Sequence, residues 1–381
     1  MKLGGITWWR NNYGSILQAL ALQTYLRCEL NQDYIIINQY SKKIVSFANL
    51  ADKLKNDGFK ITVRKIIGRM GFPQLRRISV LQAYVDKYLI TTAEVFSADN
   101  IIETNQLFDG FICGSDQIWN PANTNLDSIY WLKFVQKDKV KIAYAPSIGI
   151  DRAEEDIVKS IRENLSSFDA VSSREESGTR FINSIQDKVQ CQTVLDPTFL
   201  LERSFWDDLS EKRLFDKKYI FAYILRGDKE ERKRIESFAK RINLAIVTIP
   251  FLDGEYLVQY DLVFGDKKLW DASPSDFISA IRYAEYVFTD SFHCMVFSCL
   301  YHRKFFLFPK KGNLQMSRIE GLQKLLGTGD RILAAHLSTE QLIAYDGINW
   351  DRVDKNVEEK RIESQEFLKS AIERGNRKCL L

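Results

Sequence analysis

Short apolar runs alternate with amphipathic stretches along most of the chain. The first residues read as a strand ending in Thr7-Trp8-Trp9-Arg10-Asn11-Asn12-Tyr13-Gly14. A helix follows from Ser15, with Leu17, Leu20, Ala21 and Tyr25 at helical spacing. Tyr34 to Asn38, Phe108 to Cys113, Lys141 to Ala145, 168–172 and 190–195 read as further strands, with helices over 153–164 and 175–184. A second series starts at Tyr219 to Leu225 and runs through a charged helix, 228–241, and the strand Leu244 to Ile249. Ser273-Pro274-Ser275-Asp276 is a helix start, since Ser caps, Pro fits the first turn and Asp sits three residues on. Tyr286 to Thr289, a helix from Ser291, and the run Phe305 to Phe308 make a strand–helix–strand unit. The pattern predicts α/β structure with largely parallel sheets, and an amphipathic helix over 354–374.

Length and composition sharpen this picture. A chain of 381 residues fits two domains better than one. The best boundary is Asp196-Pro197-Thr198, because Pro197 pushes its predecessor out of the α region. The expected division is 1–196, 197–345 and a helical tail, 346–381, packing back on the first domain. Hydrophobic residues at 45% supply two cores, and a net charge of +4 is too small to point to nucleic acid. No signal-like or membrane-spanning run is visible, so a cytoplasmic protein is expected. The six cysteines are scattered, without the spacing of a disulfide frame or zinc site. The one charge concentration is 51–87, with nine Lys/Arg against three Asp. It reads as a solvated helical face or as a peripheral contact with an anionic membrane or lipid-linked acceptor.

Candidate chemistry gathers where strands give way to helices. His293, one of three histidines, follows Asp290-Ser291-Phe292 in the first turn of a helix. Imidazole can move a proton near neutral pH, and the free N–H groups of a helix start favour an anion. The alternative is a half-buried histidine bonded to a carbonyl. Gly114-Ser115-Asp116-Gln117, with Asn120, offers close backbone approach and hydroxyl-orienting side chains, or merely caps a helix. Asn12-Tyr13-Gly14 is a similar small loop before a helix. Arg174, after the strand ending at Ser173, either grips a carboxylate or phosphate or makes a local ion pair.

Asn12-Tyr13-Gly14, Gly114-Ser115-Asp116-Gln117-Ile118-Trp119-Asn120, Arg174-Glu175-Glu176-Ser177-Gly178, Leu195-Asp196-Pro197-Thr198 and Ser291-Phe292-His293 occur in an order that resembles the polysaccharide pyruvyl transferase family. The resemblance implies two Rossmann-like domains with a cleft between them, similar to glycosyltransferase-B architecture. It also implies transfer of the pyruvyl group of phosphoenolpyruvate to a sugar as a ketal. His293 and Arg174 match the family's catalytic histidine and arginine. Arg174, Ser291, His293 and Arg226 are then expected on the donor, the second domain being the donor side, with Arg226, after that domain's first strand, either holding phosphate or being a surface arginine. Asn12, Tyr13, Gly14, Gly114, Ser115, Asp116, Gln117 and Asn120 are expected to line the acceptor side. No tightly bound cofactor is implied, and a divalent metal requirement is left open. The acceptor is a sugar or lipid-linked glycan. Cys294 departs from the glycine usual after that histidine. A nucleotide-sugar glycosyltransferase of the same architecture and a noncatalytic glycan-binding relative are the rival readings.

Overall fold

The computed structural model describes residues 1–40, 72–186, 188–210, 212–225, 229–251, 259–309, 313–333, 338–345 and 347–379. Much of the basic stretch and Arg226 lie outside the described residues. What is described divides into two compact units. One takes in the described parts of Met1–Ile44, Val85–Leu201 and Lys355–Leu381, the other those of Val45–Tyr84 and Glu202–Asp354.

The first unit is built on strands β1 (Lys2–Ile6), β2 (Asp33–Tyr40), β3 (Thr91–Ser97), β4 (Gly110–Cys113), β5 (Val140–Ala143), β6 (Ala170–Ser173) and β7 (Cys191–Thr193). All pair in parallel, in the order β3-β2-β1-β4-β5-β6-β7. The central strands β4, β5 and β6 are buried at every position, as expected of a parallel sheet covered on both faces. β3, which the sequence pattern does not predict, is an edge strand whose Ala93, Glu94 and Val95 are exposed.

Helices α1 (Tyr13–Thr24), α2 (Phe72–Tyr88), α3 (Pro121–Thr124), α4 (Glu155–Leu165) and α5 (Glu176–Ile185) intervene in this part of the chain. Eleven of the twelve residues of α1 are buried, which explains its poor amphipathic pattern. The first thirteen residues of α2 fall in the second unit. There Arg77 donates to the carbonyls of Pro250 at 2.7 Å, Trp270 at 2.9 Å and Leu269 at 3.3 Å. Arg76 pairs with Asp271 at 2.6 Å. Two of the cations that made the basic stretch conspicuous are thus held by protein groups.

After α6 (Arg203–Leu209), the second unit's strands are β8 (Tyr219–Tyr223), β9 (Ala245–Thr248), β10 (Lys267–Lys268), β11 (Tyr286–Thr289) and β12 (Lys304–Leu307). They too are parallel, ordered β10-β9-β8-β11-β12. Its further helices are α7 (Lys229–Ile242), α8 (Pro274–Arg282), α9 (Phe292–Leu300), α10 (Asn313–Leu326) and α11 (Thr339–Ile343). Helix α8 starts in the capping box that Ser273 and Asp276 predict. The final helix, α12 (Trp350–Cys379), runs longer than the 354–374 read from the pattern and ends in the first unit.

Each unit has its own apolar core. In the first, Trp119 and Trp131 stack with ring centroids 4.3 Å apart, both fully buried. In the second, Phe238 packs edge-on against Phe288 and Phe306. α12 adds buried Leu368, Ala371 and Ile372 to the first unit, and Leu195 N–H donates to Ser364 Oγ at 2.9 Å.

Candidate functional site

In an open parallel sheet, ligands bind beyond the carboxyl ends of the strands where the connections change direction. The strand orders place these switch points between β1 and β4 in the first unit and between β8 and β11 in the second. Among the described residues, the expected site residues follow the carboxyl ends of strands, all but Arg174 at these switch points, in two groups, one in each unit.

In the first unit, β1 runs into Thr7–Asn12 and β4 into Gly114–Asn120. Asn12 caps α1, its Oδ1 accepting from Ser15 N–H at 3.3 Å. Tyr13 and Gly14 are buried in the first turn. The Gly114–Ser115 peptide is cis, and Gly114 has φ +116. A Cβ at Gly114 would stand 2.0 Å from the carbonyl oxygen of Tyr144, so no other residue fits. Ser115 is fully buried, its hydroxyl 3.0 Å from Ala145 O and 3.3 Å from Asp196 Oδ2, with one proton to share between them. The adjoining Ile118 and Trp119 anchor the loop in the core. Gln117 Oε1 accepts from Asn123 Nδ2 at 2.9 Å and Asn120 Nδ2 at 3.4 Å, and Asn120 Oδ1 caps α3.

Asp116 stands at the centre of this loop with φ +68 and only 7% of its surface exposed. Its Oδ2 accepts from Ser15 Oγ at 2.5 Å and its Oδ1 from Gln117 N–H at 2.8 Å. Its carbonyl accepts from Ser147 N–H at 2.8 Å.

Gln18, which the sequence reading passes over, ties the two loops together. Its Nε2 reaches Trp8 O and Ser15 O at 2.8 Å and Thr7 Oγ1 at 3.1 Å, and its Oε1 accepts from Ser115 N–H at 3.1 Å. The one signal available in the sequence is a polar residue between the apolar Leu17 and Ala19.

Arg174 is not at the surface of this rim. Its side chain is 2% exposed, with Nη1 2.8 Å from Asp196 Oδ2 and Nε 3.4 Å from Glu175 Oε1. Burial alone would lower the guanidinium pKa, but Asp196, Glu175 and Asp116 outweigh it and raise the value. Asp196 also accepts from Thr198 N–H and Oγ1 through its other oxygen. The turn at Asp196 is thus a buried charged node, bonded to the β4 loop through Ser115. Gly178 packs against the same region, where a Cβ would meet Ser173 Oγ at 2.7 Å.

In the second unit, Asp290 Oδ1 accepts from Leu225 N–H at 2.8 Å, joining the ends of β8 and β11 across the switch point. Ser291 caps α9, its Oγ accepting from Cys294 N–H at 3.4 Å. His293 lies in the first turn of α9, 8% exposed, with its ring edge-on to Phe292. All nine residues of the helix are buried, which fixes its start firmly. Burial pushes the Cys294 thiol well above the usual range, against a hydrogen bond with Thr289. Burial likewise raises the Cys113 thiol. Both are therefore unreactive packing residues.

Among the described residues, no three His, Cys, Asp or Glu side chains gather as a metal-binding group, and no helix is long and apolar enough to cross a membrane.

The chain resembles several solved structures in fold. UDP-N-acetylglucosamine 2-epimerase from Rickettsia bellii matches with a TM-score of 0.55 at 12% identity, covering 99% of this chain and 97% of that one. The Methanocaldococcus jannaschii UDP-GlcNAc 2-epimerase in complex with UDP-GlcNAc and UDP gives 0.52 at 14% identity, covering 95% and 94%. Os79 from O. sativa in complex with UDP gives 0.50 at 8% identity, covering 99% and 100%. These likenesses show two Rossmann-like units of the glycosyltransferase-B kind. No curated protein matches the sequence. The profile of the polysaccharide pyruvyl transferase family matches residues 12–309, a span that takes in β4 with its loop and the whole of the second switch point, and the chain belongs to that family.

Proposed function

We propose that the protein transfers the pyruvyl group of phosphoenolpyruvate to two hydroxyls of a sugar, forming a cyclic ketal and releasing phosphate. The observation that carries this reading is the family match over residues 12–309, which includes His293 at the amino end of α9. The chemistry of that position supports a donor there. Phosphoenolpyruvate carries a carboxylate and a phosphate, and the first N–H groups of α9 with the positive end of its dipole favour an anion. Arg226, expected on the donor's phosphate, lies outside the described residues.

Protonated His293 delivers its proton to the methylene carbon of the donor, leaving an oxocarbenium-like centre at C2. A sugar hydroxyl bonds to C2. Phosphate then leaves with the electrons of its C–O bond, and a second hydroxyl closes the ketal. Two protons leave the acceptor in all; one balances that gained by the methylene carbon and the other leaves with phosphate.

The first unit's rim has a chemistry of its own. Three carboxylates, Asp116, Glu175 and Asp196, act on Arg174, so its charge is already met by protein groups. An acid-rich rim with amide side chains suits neutral hydroxyls better than a trianion. The test is calorimetric titration with phosphoenolpyruvate, followed by phosphate release in the presence of aryl hexosides and UDP-hexoses. Micromolar-to-millimolar binding with hexose-dependent phosphate release is expected. Binding of UDP-sugars without phosphoenolpyruvate affinity would overturn the reading in favour of glycosyl transfer.

A further inference from the structure

One residue after β1, two adjacent tryptophans meet different fates. Trp9 is 4% exposed, and the guanidinium of Arg10 covers its ring at 3.7 Å. Trp8 is only half-buried, and among the described residues no cation and no stacked ring lies against it. We propose that Trp8 is a carbohydrate platform, its indole receiving the apolar C–H face of a pyranose ring. The inference takes from the function proposed above only the kind of ligand, a sugar, and every residue in it belongs to the first unit.

Placement carries the first part of the case. Trp8 stands in the loop that leaves the carboxyl end of β1, beside β4, where a sheet of this type binds ligand. Thr7 Oγ1 donates to Ser115 O at 3.1 Å, which joins this loop to the one after β4.

Rigidity carries the second. Trp8 Nε1 donates to Tyr130 Oη at 2.8 Å, the two rings meet at 83°, and Trp8 O accepts from Gln18 Nε2 at 2.8 Å. Tyr130 is itself 5% exposed, so the indole's polar atom is spent inside the protein and the part left open is apolar ring. A ring already locked gives up little freedom on binding, which is what makes tryptophan an effective anchor.

The surroundings carry the third. Asn12 and Gln117 use their side-chain oxygens within the protein, and among the described residues their NH₂ groups donate to nothing. The exposed side chain of Asn11, held at φ +58, makes no hydrogen bond among them either. Asp116 adds an acceptor, its carboxylate bonded only to the neutral donors Ser15 Oγ and Gln117 N–H. Arg10 donates to Asn38 Oδ1 and Gln39 O at the end of β2. Amide donors and a carboxylate acceptor match the hydroxyls of a neutral pyranose, and the indole matches its C–H face.

Methyl hexopyranosides are the probes, since an aryl glycoside brings a second ring that can stack by itself. When the methyl glucoside, galactoside and mannoside are titrated with the full chain and followed by proton NMR, at least one should bind, its ring C–H signals moved upfield by the indole. Sorbitol, which has the hydroxyls without the rigid face, should not bind. Trp8→Ala should weaken glycoside binding by roughly tenfold or more, the worth of a buried pyranose face, and abolish the upfield shift. Trp8→Phe keeps a ring and should retain part of both. Tyr130→Phe frees the indole N–H and should weaken binding by about threefold.

Unchanged glycoside binding in Trp8→Ala would overturn the assignment, as would binding without an upfield shift, binding of sorbitol as tight as that of the glycosides, or a wild type that binds none of the three glycosides. If Trp8→Ala does not fold, Trp8→Phe decides, and an affinity and shift equal to those of the wild type overturn it. Phosphoenolpyruvate titrated alongside separates the two readings. A wild type that binds glycoside through Trp8 but not phosphoenolpyruvate keeps the platform and loses pyruvyl transfer; phosphoenolpyruvate binding with glycoside binding indifferent to Trp8 does the reverse.

Discussion

The two switch points have the same place in their sheets and are built differently. At the first, the loops after β1 and β4 are long, cross-linked by Gln18, and carry a carboxylate over a buried charged node. At the second, β11 passes into α9 within two residues, so a helix start and a histidine meet the ligand edge directly. The difference teaches that one topology can carry different chemistry at its switch point, depending on the loop that leaves the strand. A long loop can bury its own counter-ions and present acceptors, whereas a short one leaves the helix N–H groups as the dominant feature.

The sharpest way to break this comparison is His293→Gln. If the second switch point is the acid side, phosphate release should fall by roughly 10³-fold or more, with phosphoenolpyruvate affinity little changed. Retained turnover would remove the acid role. Arg174→Ala addresses the first switch point. Leaving Asp196 and Glu175 without their cation should cost about 3–5 kcal/mol in denaturant unfolding. Unchanged stability with lost donor affinity would reverse the assignment and put Arg174 on phosphoenolpyruvate.

Gly178→Ala tests the packing under the same node. A Cβ 2.7 Å from Ser173 Oγ should cost about 1–3 kcal/mol, and a neutral result would mean that the hydroxyl can turn away. The smallest effect concerns the thiols. Burial raises Cys113, Cys294 and Cys299 and brings Cys191 to about 12, whereas an unfolded thiol titrates near 8.5. Above that pH the unfolded chain holds fewer protons than the folded one, so stability is intact below about 8.5 and falls as pH rises toward 12. Each thiol adds a slope of up to about 1.4 kcal/mol per pH unit. Near neutral pH, iodoacetamide should label exposed Cys28 and spare these four.

Much of the fold is legible in the alternation of apolar runs, because buried parallel strands such as Phe111-Ile112-Cys113 are apolar on both faces. β3 is not, since an edge strand with exposed Glu94 and Val95 offers neither a continuous run nor a clean alternation. The candidate residues are legible as motifs, but their partners are not. Arg174 finds Asp196 22 positions away and Ser15 finds Asp116 101 positions away, distances at which local pattern is silent. Gln18 is hidden for the same reason. Its four partners come together only when two strands lie side by side.

Helix α12 has a further consequence, for synthesis. Its residues complete the first unit, with Arg361 donating to Phe199 O at 2.7 Å, Gln365 to Leu200 O at 3.2 Å and Lys378 meeting Asp169 at 3.0 Å. The ribosome makes these residues only after the whole of Glu202–Asp354. The unit whose strands emerge first therefore lacks the helix that bonds to Phe199, Leu200 and Asp169 until the other has been translated. A nascent chain stalled before Lys355 should hold a second unit able to fold and a first unit still open to chaperone or protease.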